Sequence, residues 1–280
     1  MCTVTYLPTG SGDFVFTSNR DEAPGRSVSE LSRDGRLILP RDQAGGSWIA
    51  LEQSGCLACI LNGAFVKHER HPPYRKSRGM VLIDFFSWSD THDFWHNYDF
   101  TNIEPFTMIT VKEGGLAEGR WDGERVHFQF LDHLAPHIWA SATLYDEEMR
   151  KEREKWWSAF LLEHLETRDQ RPDGALDLEK VPGSGLQKAS IEADLSSSKL
   201  QKTGLEVEKT GEIEKHPPAE VLKFHLTAGS DNPFTALRMR RPEQGVETVS
   251  VTQIVREQGR YSMTHHDLLE GQTDQKYWAS

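Results

Sequence analysis

Basic charge is scarce in this chain. Its 280 residues carry 32 Lys and Arg against 43 Asp and Glu, a net charge of −11 at neutral pH. A general nucleic-acid binder needs clustered cations to meet phosphates, so that class of partner is not expected. Long apolar runs are missing too: no stretch reaches the roughly 18 residues that a membrane-spanning helix needs. Residues 1–20 lack the basic start and apolar centre of a secretion signal. Cysteine is sparse and odd in number, with 3 in all, which gives no disulfide framework. These absences predict a reducing, cytoplasmic setting and no membrane span. Aromatic residues vanish between Arg168 and Lys215, where Ser, Gly, Lys, Glu and Asp dominate and apolar residues are scattered. Such a stretch cannot bury enough surface to offset its ordering entropy. The reading is one domain over residues 1–280 with a polar surface-loop insert at 168–215.

What is present is concentrated at the start. Cys2 follows Met1, and initiator methionine is trimmed when the second residue is small. Trimming would place a thiol and a free α-amine on one residue. An α-amine with an unperturbed pKa of about 7.7–8.0 can take a thiol's proton and return it. Cys2 to Leu7 reads as a β-branched strand and Asp13 to Ser18 as a second, with the turn cluster Pro8-Thr9-Gly10-Ser11-Gly12 between them. Pairing Leu7 with Asp13 sets Cys2 near Ser18, so that Asn19-Arg20-Asp21-Glu22 emerges beside Cys2. Arg20 would then favour the thiolate, and Asp21 would hold the α-ammonium by a charge-assisted hydrogen bond. The alternative is a retained Met1, a Cys2 that packs as a small apolar residue, and a solvated charged strand end.

Further along, Trp48 to Leu51 and Cys56 to Leu61 read as strands joined at Gly55. Ser77 to Trp88 reads as a helix. Phe106 to Lys112, Leu116 to Trp121 and Arg125 to Leu131 read as a meander, and Ile138 to Thr143 as another strand. Asp146 to Glu166 is expected to be a long helix burying Trp156, Trp157, Phe160 and Leu161. Glu220 to Leu226 is a short helix, and Thr248 to Val255 with Tyr261 to His265 closes a sheet. Cys56 and Cys59, three apart on a strand, point to opposite faces and make a poor metal pair. His92 and His96, with Asp93 between them, have helical ligand spacing but no identified third donor. No metal and no cofactor are expected.

Met1-Cys2-Thr3-Val4 followed by Phe16-Thr17-Ser18-Asn19-Arg20-Asp21-Glu22 resembles the NRDE family, also called the transport-and-Golgi-organisation 2 family. Further matches are Arg41-Asp42, Gly45 to Ile49, Leu61-Asn62 and Ser77-Arg78-Gly79, with an echo in Thr248 to Gln253. The resemblance implies an α+β fold of the N-terminal-nucleophile hydrolase kind, a four-layer αββα sandwich of two mainly antiparallel sheets. In acylases of that fold an early-strand asparagine stabilises the oxyanion, and Asn62 is its match. Asn62-Gly63 is equally a strong turn signal. The acylase pattern also has a later asparagine and a late arginine, where this chain offers Ser141-Ala142-Thr143 and Glu247-Thr248.

Two readings follow. The first is an N-terminal-cysteine hydrolase of a non-peptide amide or related acyl bond, with Cys2, Arg20, Asp21 and Asn62 as its catalytic residues. The second, implied by the resemblance, is a non-catalytic small-molecule binding or trafficking protein, with haem among its candidate ligands. Either way the expected partner is a small molecule.

Overall fold

The computed structural model describes residues 2–166 and 216–278, so the insert expected at 168–215 lies outside the described residues. Strands β1 (Cys2–Gly10) and β2 (Asp13–Glu22) form the opening hairpin. After them come β3 (Leu31–Asp34), β4 (Leu37–Pro40), β5 (Ile49–Glu52) and β6 (Leu57–Asn62). Helices α1 (Arg78–Phe85) and α2 (Thr91–Asn97) lead to the meander β7 (Phe106–Lys112), β8 (Gly115–Trp121) and β9 (Val126–Leu131). Then follow β10 (His137–Ala140), α3 (Glu147–Glu166) and α4 (Pro217–Thr227). The chain closes with β11 (Arg240–Arg241), β12 (Val246–Glu257), β13 (Arg260–Asp267) and β14 (Gln272–Trp278).

Two antiparallel sheets result. The first runs β10-β1-β2-β12-β13-β14, with β11 added to β12, and the second runs β3 to β9 in sequence order. Their facing surfaces share one core in which Cys2, Val4, Tyr6, Phe14 and Phe16 of the first sheet meet Ile49, Cys59, Leu61 and Ile109 of the second. Helices α3 and α4 cover the far side of the first sheet, where Trp157, Leu161, Val221 and Phe224 pack on Leu7 and Val15. Helices α1 and α2 pack on the second sheet through residues such as Val81, Leu82 and Trp95. The α+β arrangement in four layers expected from the sequence is thus present. Gly119 shows how tightly α2 sits: a Cβ there would come within 1.9 Å of the Trp95 indole.

The hairpin register departs from expectation. β1 continues through Gly10, and the chain reverses at Ser11-Gly12, both in left-handed conformation with φ of 53° and 78°. Leu7 therefore faces Val15 and Cys2 faces Arg20, each two residues beyond the expected partner. An even slip leaves every side chain on its expected face of the sheet. At the other end of the site, Ser77 accepts a hydrogen bond from the Met80 amide and starts α1 there. No helix among the described residues is long and apolar enough to cross a membrane.

Candidate active site

Cys2 is fully buried at the mouth of the hairpin, on the face that meets the second sheet. Directly opposed residues of a ladder share a face, so Cys2, Arg20 and Ser250 form a row across β1, β2 and β12. Ser18, one step back on that face of β2, lies 3.7 Å through its Oγ from the Cys59 Sγ. Burial pushes the Cys2 thiol above its ordinary range, and the Ser18 hydroxyl and Arg20 guanidinium only partly oppose that. The cation effect expected from the sequence is therefore present but outweighed by desolvation. Cys59 rises well above its ordinary value for the same reason, and Cys56 is pushed up to about 12.

Asp21 follows Arg20 and so points to the opposite face of β2, under the helices. Its carboxylate is fully buried. It accepts hydrogen bonds from the Tyr145 hydroxyl and, at 2.6 Å, from Thr248 Oγ1. Behind it, the Arg153 guanidinium stacks 3.7 Å from the Tyr145 ring and donates to the carbonyls of Met149, Thr235 and Ala236. Burial pushes the Asp21 carboxyl upward, and the Thr248 and Tyr145 hydrogen bonds pull it back.

Asn19, also on the helix-facing side, donates from its amide to the carbonyls of His225 and Leu237 at 3.1 and 2.8 Å. Its oxygen is left to accept from His225 Nδ1. That pairing assigns the proton to Nδ1, so Thr5 Oγ1 donates to Nε2 at 2.7 Å. The ring is held neutral, with its pKa pushed down to about 3 by burial.

Arg20 and Asn62 meet at a cleft of about 350 Å³ at the end of the sandwich, walled by Trp48, Ile60, Arg70, Arg78 and Glu104 among others. The Arg20 guanidinium lies 4.0 Å above the Trp48 ring and donates to the Arg26 carbonyl at 2.5 Å. Asn62 ends β6, and Gly63, with φ of 79°, donates its amide to the Pro105 carbonyl at 3.0 Å as the chain leaves the strand. A Cβ at Gly63 would also come within 2.8 Å of Thr143. The Asn62 carboxamide makes no hydrogen bond among the described residues. Cys2 and Asp21 do not line this cleft. The fold thus sets Arg20 and Asn62 in one cavity, Cys2 beside Arg20 but outside that cavity, and Asp21 on the far side of the strand.

The sequence names Ser141 and Thr248 without these contacts, and it does not single out Tyr145. The Ser141 amide donates to the Cys2 carbonyl at 3.0 Å, and its hydroxyl donates to the Asn62 carbonyl at 2.9 Å. Thr248 and Tyr145 supply the hydroxyls on Asp21. Ser250, opposite Arg20, has a buried hydroxyl with no partner among the described residues. Thr248 and Ser250 carry a sequence signal in the echo at Thr248 to Gln253, whereas Tyr145 carries none.

At the start of α2 the set of His92, His96 and Asp93 is not brought together as ligands; His92 and Asp93 group with Asp90, and His96 is left out. Asp90, His92 and Asp93 bring ligand atoms within 4.8 Å of one another. All three are exposed, and Asp90 is already used as the helix cap.

Residues 1–128 match the family model described as Transport and Golgi organisation 2, which bears out the family resemblance over that part of the chain. No curated protein sequence matches the chain. Among solved structures, a mutant conjugated bile acid hydrolase from Clostridium perfringens is similar at 11% identity and a TM-score of 0.42, covering 100% of this chain and 97% of the other. Penicillin V acylase from Agrobacterium tumefaciens is similar at 8% identity and a TM-score of 0.48, covering 98% of this chain and 84% of the other.

Proposed function

We propose that this chain is an N-terminal-cysteine hydrolase of a non-peptide amide or related acyl bond, active once Met1 is removed. The observation that carries this reading is the direct opposition of Cys2 and Arg20 at the open end of the first sheet. In the proposed reaction the α-amine of Cys2 takes the thiol proton, and Sγ attacks the acyl carbonyl. The Asn62 carboxamide donates to the tetrahedral oxyanion. Collapse expels the leaving amine, which takes the proton from the Cys2 ammonium. Water then attacks the thioester, the amine again takes a proton, and the acid and free thiol are released. Asp21 orients the ammonium, and the cation it receives lowers its own pKa. Because Cys2 is fully buried and does not line the cleft, substrate reaches Sγ only after side chains at this end of the sandwich move.

The same burial favours the second reading, a small-molecule-binding protein on this fold that performs no chemistry. Intact-mass measurement and thiol mapping separate the two. The hydrolase reading expects complete loss of Met1 and selective acylation of Cys2 by an amide-mimicking electrophile, with Cys56 and Cys59 unmodified. A fully retained Met1, or adducts on Cys56 or Cys59 in preference to Cys2, overturns it.

A further inference from the structure

The cleft beside Arg20 and Asn62 reverses the charge balance of the molecule. Five cationic side chains line it, Arg20, Arg26, Arg70, Lys76 and Arg78, against three carboxylates, in a chain whose net charge is −11; Lys76 pairs with Asp84 outside the lining, which leaves four arginines to the three carboxylates. Those carboxylates are oversubscribed. Glu104 alone takes Arg70 at 3.1 Å, Arg78 at 3.2 Å and His68 at 3.2 Å. Glu22 takes Arg26 at 3.1 Å and Arg20 at 3.8 Å, and Asp42 takes Arg26 again at 3.4 Å. A guanidinium has five donors; Arg70 uses one on Glu104 Oε1, and Arg78 uses one on Glu104 Oε2 and one on the Pro105 carbonyl, so each keeps donors to spare.

The two cations on Glu104 differ usefully. Arg78 is largely withdrawn from water, so its charge acts in a low-dielectric wall. Arg70 is mostly exposed and free to swing. Arg78 also begins α1, and Ser77, Arg78 and Gly79 all line the cleft, so the positive end of that helix lies at it. The volume, about 350 Å³, lies in the range of small-molecule sites, roughly 300–1,000 Å³. Trp48 and Ile60 supply an apolar surface beside the cations.

We propose that this cleft binds the oxyanion head group, a carboxylate or a phosphate, of a small acyl amide, through Arg70 and Arg78 with Arg26. This assignment rests on the hydrolase reading and adds its substrate class: the head group sits on the arginine wall and the acyl carbonyl lies toward Arg20 and Asn62. Planar bidentate donors suit either oxyanion.

Isothermal titration calorimetry on the full chain carrying Cys2→Ala tests binding without turnover. Three probes share one acyl group: N-hexanoylglycine, N-hexanoyl-2-aminoethyl phosphate and the neutral N-hexanoylethanolamine. At least one anion binds tenfold or more tighter than the neutral probe, and the tighter anion identifies the head group. That preference falls with added salt and drops below threefold in Arg70→Gln/Arg78→Gln. Arg70→Gln alone, at an exposed position that leaves folding intact, lowers it at least threefold. Equal binding of all three probes, no binding of any at millimolar concentration, or an unchanged preference in both variants overturns the assignment. Release of free amine by the unsubstituted protein is followed separately. Anion preference without turnover sinks the hydrolase reading and leaves the head-group assignment standing. Equal turnover of charged and neutral probes does the reverse.

Discussion

The two faces of β2 use opposite means to hold one strand. Phe14, Phe16 and Ser18 face the second sheet in a mostly apolar core, where contact is close but carries little direction. Thr17, Asn19 and Asp21 face the helices, and every one is fixed by hydrogen bonds from distant parts of the chain. Neither face is exposed, yet one is secured by volume and the other by geometry. Arg20, near the end of the face that meets the second sheet, belongs to both regimes: its charge lies on the Trp48 ring and its donor on a backbone carbonyl. A strand fixed this way on its helix side can change what its other face meets without losing its place.

The largest effect expected comes from the apolar face. Phe16→Ala leaves a cavity between the sheets and lowers stability by about 3–5 kcal/mol in urea unfolding. A loss below about 1 kcal/mol would break the contrast. On the helix face Asn19→Ala strands two carbonyls and the His225 Nδ1–H, for a loss of about 3 kcal/mol. Asn19→Asp tests direction against size, because it keeps the shape and removes the amide donors.

Acid should attack the helix face through His225, and the sheet-facing side through His265, whose pKa burial also lowers. His225 has a folded pKa depressed to about 3 against an ordinary 6.5, so the unfolded chain takes up its proton first as pH falls. Its stabilising contribution is complete above pH 6.5 and declines by about 1.4 kcal/mol per pH unit until the folded pKa is reached. Between pH 6.5 and 4.5, unfolding free energies of a His225→Gln variant should lose about one proton from their pH slope relative to the unsubstituted chain. An unchanged slope would place the titrating group elsewhere. The smallest effect is Tyr145→Phe, which removes one hydroxyl from Asp21 and costs about 1–2 kcal/mol. It also raises the Asp21 pKa further, which a carboxyl-resolved NMR titration would detect.

Local order was legible in the sequence and long-range polar pairing was not. The meander at Phe106 to Leu131 could be placed from apolar runs punctuated by Gly114-Gly115 and Asp122-Gly123, and its strands lie within a residue or so of those bounds. Strands β3, β4 and β14 went unread: β14 exposes much of its length at a sheet edge, and such residues carry weak alternation. The long helix was placed correctly, but its buried stripe includes Arg153, a residue whose charge assigns it to water although its spacing from Trp157 and Leu161 puts it on their face. Arg153 is buried because carbonyls from residues 149, 235 and 236 converge on it, and no local pattern announces that. The same holds at the site. Cys2 and Arg20 were within reach of a hairpin argument, whereas the hydroxyls on Asp21 come from 124 and 227 residues away.

Ser141 has a mechanical consequence. One residue grips the backbone of Cys2 with its amide and that of Asn62 with its hydroxyl, so it acts as a clasp between the opening strand of one sheet and the central strand of the other. Load applied at Asn62 by an occupant of the cleft passes through two hydrogen bonds to the carbonyl of Cys2, not through the packed interior. The clasp therefore sets how far the sheets can part at this end while their remaining length stays closed.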